Sequence, residues 1–161
     1  MEDIQNEIIS NFGNKLRIRV CGICIEDNKI LLVRHHSIGK SGILWAPPGG
    51  GMIYGETAEQ ALIREFAEET GLKIQVENFL CVNEYLTPPL HAIELFFIVK
   101  KTGGILQTGT DPELDPTKQI ITDIEWISLE ELQKIPENSL HSLLHSIQSI
   151  EEINTLSGYH K

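Results

Sequence analysis

Glu65, Glu68 and Glu69 stand three and four residues apart in the segment AEQALIREFAEET. On a helix they share about a quarter to a third of the circumference. Like charges at that spacing repel, and Glu68 and Glu69 fall in the last turn, where the helix dipole disfavours negative charge. Such a cluster taken alone reads as an acidic solvated face laced by Arg64. A hard divalent cation gives it a chemical use, because Mg²⁺ takes carboxylate oxygens, keeps several waters and bridges to phosphates. Arg64 can pair with Glu68 one turn on, or reach back to Glu56 and orient it.

The helix that must carry these acids is well punctuated. It is expected over Ala58 to Thr70, with Thr57 as N-cap, Gln60 at the capping-box spacing and Gly71 at C′. Leu62, Ile63 and Phe66 are expected to face the core, and Ala58 and Ala61 to leave room beneath the acids. Upstream, Trp45-Ala46-Pro47-Pro48-Gly49-Gly50-Gly51 combines fixed and free backbone and so steers the chain tightly. Before it, residues 1 to about 14 read as an amphipathic lead-in. Arg17 to Ile25 and Lys29 to Arg34 read as a hairpin turning at Glu26-Asp27-Asn28. Beyond it, Lys73 to Leu86, Ala92 to Lys101 and Ile120 to Ile127 read as strands, and Thr108 to Lys118 as a polar loop. Ser128 caps a short helix with Glu131 at the capping-box position. A final amphipathic helix is expected over Ser139 to about Ile153. Strands with one central helix and others near the C-terminus indicate an α+β, or α/β/α layered, domain with a mixed sheet.

Length and composition bound the rest. The 161 residues suit one domain with a core over about residues 15–150, and 41% apolar with 22% charged residues is ordinary for a globular protein. The formal net charge of −10 argues against general nucleic-acid binding, and anionic phosphates would need screening by a cation or local arginines. Cys21, Cys24 and Cys81 make no disulfide framework. The C-x-x-C spacing lies in an alternating strand, which sends Cys21 and Cys24 to opposite faces as packed thiols. The acidic N-terminus is no signal peptide and no apolar run could span a membrane, so a soluble cytoplasmic protein without a membrane partner is expected.

From Gly50 the fixed residues are Glu56, Arg64, Glu65, Glu68, Glu69 and Gly71. Seven such matches arise by chance with a probability of order 10⁻⁸ per start position. Residues 50–72 resemble the Nudix box, with Phe66 standing where the family usually has an aliphatic residue, a matter of packing. The order of elements resembles the Nudix fold over about residues 15 to 150. The resemblance implies an α/β/α sandwich with the box helix packed on a mixed sheet, and hydrolysis of a nucleoside diphosphate linked to another moiety with Mg²⁺ or Mn²⁺. Glu65, Glu68 and Glu69 would be metal ligands together with the Gly49 carbonyl, and Glu56 and Arg64 an orienting pair. The general base varies within the family and often comes from the later loop, where Glu113 is the candidate. The same resemblance implies a homodimer.

Substrate contacts are less defined. Arg17, Arg19 and Arg34 alternate into the first two strands, where they could meet phosphate or base. Tyr54 and Tyr85 could stack on a base, whereas Phe97 suits the core. Pro88, sixteen residues beyond Leu72, has a spacing that resembles ADP-ribose-cleaving Nudix members. His141 and His145 read as a solvated face of the last helix. The readings left open are hydrolysis of ADP-ribose or a nucleotide sugar, a nucleoside triphosphate pyrophosphatase, and a non-catalytic nucleotide-binding regulator on the same fold.

Overall fold

In the computed structural model, which describes residues 2–161, the chain runs α1 (Glu2–Phe12), β1 (Leu16–Glu26), β2 (Lys29–His36), β3 (Ile43–Ala46), β4 (Gly49–Gly51), α2 (Ala58–Thr70), β5 (Leu72–Thr87), β6 (Leu90–Gly104), β7 (Ile121–Ser128), α3 (Leu129–Leu132), α4 (Ile150–Ile153) and β8 (Tyr159–His160). β1 organises the sheet. Its hairpin to β2 turns through Asp27 and Asn28, both at positive φ (50° and 59°), as a two-residue turn between twisted strands requires. β1 runs parallel to β6, from Leu16 opposite His91 to Cys24 opposite Val99, and antiparallel to the glycine strand β4. The order β3-β2-β1-β6-β5-β8, with β4 on β1 and β7 on β2, makes one mixed eight-stranded sheet.

Alternation along β1 feeds two cores. Cys21 and Ile23 pack with Phe96 and Cys81 under the C-terminal segment, while Val20 and Cys24 pack with Leu62 and Phe66 under α2. The two cysteines therefore belong to opposite layers and are free thiols. The result is the expected α/β/α sandwich with the box helix on the sheet. Among the described residues no helix is long and apolar enough to cross a membrane.

Three local expectations are corrected. Residues 139–153 do not form one helix. The segment makes 3₁₀ turns at Glu137–Ser139 and Ser142–Leu144 before the short α4. His141 is extended (φ −60°, ψ 132°), and its N–H donates to the Trp45 carbonyl at 2.9 Å, which interrupts any helix. The His141 ring also accepts from Leu143 N–H at 3.3 Å, and the Ser149 hydroxyl caps only the short α4, accepting from Glu152 N–H at 3.2 Å. Leu140, Leu143, Leu144, Ile147, Ile150 and Ile153 are all buried, so their spacing recorded burial without helix. On α2, Ile63 is 39% exposed, because the core stripe runs through Leu62 and Phe66, one turn apart, and Ile63 is rotated off it. Ala61 belongs to that core, so it is not the space beneath the acids.

Candidate active site

α2 is fixed at both ends. The Thr57 hydroxyl accepts from Gln60 N–H (3.2 Å) and the Gln60 side chain accepts from Thr57 N–H (2.9 Å). Gly71 closes the helix at φ 71°. The last carbonyls, of Glu68, Glu69 and Thr70, accept from the N–H groups of Thr110 (3.2 Å), Gly109 (2.8 Å) and Gln107 (3.0 Å). That capping satisfies the helix end and ties the 107–118 loop to the acids. A methyl group on Gly109 would overlap the Glu68 carbonyl, so only glycine permits the approach.

The acids meet the glycine strand. Any side chain on Gly50 would occupy the Glu65 carboxylate, so the room for that carboxylate comes from Gly50 and the helix alanines do not supply it. Glu69 Oε2 accepts from Gly49 N–H at 2.9 Å, and its Oε1 lies 3.9 Å from His35 Nε2. Both carboxylates are buried, at 6% and 5% exposure. Burial, then the neighbouring Glu69 charge, pushes the Glu65 carboxyl up to about 7 against the pull of Arg64. Arg64 meets the rest. Its Nε and Nη2 donate to the two Glu56 oxygens (3.2 and 2.8 Å), Nη2 also to the Gly51 carbonyl (3.1 Å), and Nη1 to Glu65 (2.7 Å) and Glu68 (3.0 Å). This contact holds the Glu56 carboxyl below the usual range.

A cavity extends from Glu65 and Glu69 across the end of β1. On one side, Arg17 Nη2 lies 3.0 Å from Glu113 Oε2. That pair sits over Gly51, whose Cβ position would be 2.7 Å from Arg17 and 3.3 Å from Glu113. On the other side, Arg19 Nη2 donates to the Gly49 carbonyl (3.0 Å), and its Nε lies 3.7 Å from Glu94 Oε1. Glu94 Oε2 accepts from Asn83 Nδ2 (2.9 Å) and from His141 Nε2 (2.8 Å). Tyr85 lines this end with its ring 6.4 Å from that of His141 at 26°.

Arg17, Arg19, Tyr85, Gly49, Glu65, Glu69 and Glu113 thus share one cavity, whereas Glu56, Glu68 and Arg64 sit beside it. Two expected substrate contacts lie elsewhere. Arg34 donates to Thr122 Oγ1 (3.0 Å) across the β2–β7 pair and does not line the cavity. Pro88, joined to Pro89 by a cis peptide, lies in the β5–β6 turn, and Leu90 and His91 reach the cavity in its place. Tyr54 is fully exposed, and Phe97 packs edge-on against Phe79 at 5.5 Å. His141 is 3% exposed, contrary to the solvated face expected of it.

Glu94, His141, Asp111 and His35 were not legible as cavity residues. Glu94 did leave a trace in the sequence. It is the charged member of an inward i, i+2, i+4 series, with Ala92 and Phe96, on an otherwise apolar strand face. Asp111 lines the cavity and accepts from Glu113 N–H at 2.9 Å, and burial pushes its carboxyl up.

The donor set suits a hard cation in kind. Two buried carboxylates stand together against a glycine backbone, and Arg64 Nη1 already supplies positive charge between Glu65 and Glu68. The groups are not closed around such an ion: among the described residues no three His, Cys, Asp or Glu side chains converge on one point, and Arg19 engages the Gly49 carbonyl.

An acid helix docked on a glycine strand, with an arginine spanning three glutamates, lies wholly within residues 15–145, and those residues match the NUDIX domain family. The chain belongs to this family. Among NUDIX relatives, it is 36% identical over 122 residues to an ADP-ribose pyrophosphatase of Methanocaldococcus jannaschii, covering 73% of this chain and 65% of that protein. This chain therefore spans about 65% of that relative's length. It is 34% identical over 90 residues to an 8-oxo-dGTP diphosphatase of Escherichia coli, covering 56% of this chain and 70% of that one. An ADP-ribose pyrophosphatase structure from Streptococcus suis superimposes with a TM-score of 0.60 at 16% identity, covering 89% of this chain and 98% of its own, which is a likeness of fold.

Proposed function

We propose that this NUDIX protein is a divalent-cation-dependent pyrophosphohydrolase acting on a nucleoside diphosphate linked to a further moiety, with ADP-ribose as the first substrate to test. The observation that carries this reading is the buried Glu65–Glu69 pair against Gly49 and Gly50, with Arg64 spanning Glu56, Glu65 and Glu68. Glu65, Glu68 and Glu69, with the Gly49 carbonyl, would hold Mg²⁺ or Mn²⁺. When bound, the ion would neutralise phosphoryl oxygens and lower the pKa of a water. Arg64 and Glu56 keep the acids in register. Arg17 and Arg19 offer positive charge to the phosphates, Tyr85 a face to the base, and Glu113 takes the proton of the attacking water. The 36% identity to an ADP-ribose pyrophosphatase supports the substrate.

A second reading, hydrolysis of a nucleoside triphosphate to monophosphate and pyrophosphate, is favoured by the likeness to an 8-oxo-dGTP diphosphatase. A panel of ADP-ribose, nucleotide sugars and canonical and oxidised triphosphates, with Mg²⁺ or Mn²⁺ and product analysis, separates the two. Nucleoside monophosphate with sugar phosphate supports the first, and monophosphate with pyrophosphate the second. Absence of both products overturns the proposal.

A further inference from the structure

Helix α1 lies outside the stretch that matches the family, yet it is fastened to the loop that brings acids to the cavity from beyond α2. Asn11 Nδ2 donates to the Glu113 carbonyl at 3.0 Å. Glu7 Oε1 accepts from Asp115 N–H at 2.8 Å, and Glu7 Oε2 lies 3.0 Å from Lys118 Nζ. Ile8 and Phe12 are buried in one cluster with Leu114 and Ile120, so these two apolar residues of the segment between β6 and β7 have their core on α1. The Phe12 ring also supports Arg17, whose guanidinium carbon stands 4.1 Å from the ring centroid while Nη2 holds the Glu113 carboxylate. Glu113 is thereby gripped twice from the same helix, at its carbonyl by Asn11 and at its carboxylate through Phe12 and Arg17.

The loop's other ties are to the end of α2 and within the loop itself, where Glu113 N–H donates to Asp111 Oδ1 (2.9 Å), Leu114 N–H to the Asp111 carbonyl (3.1 Å) and Gln119 Nε2 to the Leu114 carbonyl (3.3 Å). Gly109 and Thr110 are bound to the end of α2. Gln119 closes the loop on itself, accepting from Asp111 N–H at 2.5 Å and donating to the Asp111 carbonyl at 3.0 Å. Between these anchors, the peptide carrying Glu113 and Leu114 has α1 as its outer support. We infer that α1 is a working part of the active site, setting where the Glu113 carboxylate stands, and that Asn11 is its positioning residue. This inference rests on the proposed reaction and on Glu113 as its proton acceptor.

Asn11→Ala and the isosteric Asn11→Asp, which lacks the donor, test it in the full-length protein. Misplacement of a reacting group of this kind lowers turnover steeply, so kcat should fall about tenfold while KM stays within about twofold. The amides of Glu113, Leu114, Asp115 and Thr117 should exchange with solvent faster while those of α2 keep their protection, a localisation that general destabilisation would not produce. In a Glu113→Gln background, Asn11→Ala should add no further loss, because the two residues act as one unit. Unchanged kcat in the single variants, or an equal loss in both backgrounds, overturns the inference. If the wild type is active and Glu69→Gln is not, but Glu113→Gln keeps full turnover, the reaction stands and the positioning role falls. A wild type inert toward the whole panel overturns both.

Discussion

Glu94 and His141, forty-seven residues apart, meet as a buried pair, with His141 Nε2 2.8 Å from Glu94 Oε2. Leu143 N–H donates to His141 Nδ1 at 3.3 Å, which leaves Nε2 as the protonated nitrogen facing the carboxylate. The contact fastens the irregular C-terminal segment to β6 and forms one end of the cavity. Removing the ring strips a buried carboxylate of one of its two donors on Oε2. His141→Ala should therefore destabilise the protein by about 2–3 kcal/mol, read from urea unfolding midpoints at constant m. A loss below about 0.5 kcal/mol would mean that water replaces the ring freely.

Acid should loosen the same place. Burial pushes the Glu94 carboxyl up, but the His141 ring, Arg19 and the Asn83 amide together pull it down further, so the folded value lies below the ordinary 4.5. Below pH 4.5 the unfolded chain then binds more protons at this residue than the folded one, and stability falls as pH falls. The contribution is complete above 4.5 and disappears as pH drops through the folded value. Thermal melts of wild type and Glu94→Gln from pH 7 to pH 3 should show wild type ahead at neutral pH and the gap closing in acid. A constant gap contradicts the assignment.

Glu69→Gln keeps an acceptor for the Gly49 N–H but removes a charge from the acid pair. A bound ion stabilises the folded state by mass action, so Mg²⁺ or Mn²⁺ should raise the melting temperature of the wild type and barely move that of the variant. Hydrolysis should fall at least about a hundredfold, the scale for losing one preorganised electrostatic contact to the transition state. Equal metal-induced shifts in both proteins would remove Glu69 from the ligand set. Chelation should abolish wild-type turnover, and returning Mg²⁺ or Mn²⁺ should restore it.

Arg64 makes five directed contacts, four to carboxylate oxygens and one to a carbonyl. Lysine matches the charge without the planar fork that meets Glu56 at both oxygens. Arg64→Lys should lower kcat/KM roughly 10- to 100-fold, the cost of misplaced catalytic groups. Turnover near wild type in the lysine variant would reduce Arg64 to a charge balance.

Gly109→Ala tests the tie between α2 and the loop, since the added methyl meets the Glu68 carbonyl. The strain should cost about 1–3 kcal/mol and expose the last carbonyls of α2. Equilibrium unfolding gives the first effect, and faster exchange of the Gln107 and Gly109 amides the second. Wild-type protection at both amides would show that the backbone shifts without losing the cap.

Local rules made much of α2 legible before any fold was known. Thr57, Gln60 and Gly71 act over three or four residues, and backbone geometry dictates such contacts wherever the motif occurs. The glutamate spacing was legible for the same reason, as were the hairpin and the separation of Cys21 from Cys24. Residues 139–153 escaped because burial of Leu140, Leu143, Leu144 and Ile147 imprints a helix-like period on a chain that the His141 contacts with Trp45 and Leu143 hold out of a helix.

The acid helix, its caps and the steered glycine stretch at fixed distance before it are legible in the residues alone. Which distant groups join them was set by the fold. Parallel pairing of β1 with β6 puts Arg19 opposite Glu94, and capping of α2 by the loop beyond β6 carries Asp111 and Glu113 to the acids. It also decided that Arg34 and Pro88 stay out of the cavity and that α1 stands behind Glu113. The reason is physical. Helix caps and i, i+4 spacings are set by local backbone geometry, whereas a cavity wall depends on sheet register and on hydrogen bonds between segments as many as a hundred residues apart, which no local pattern records.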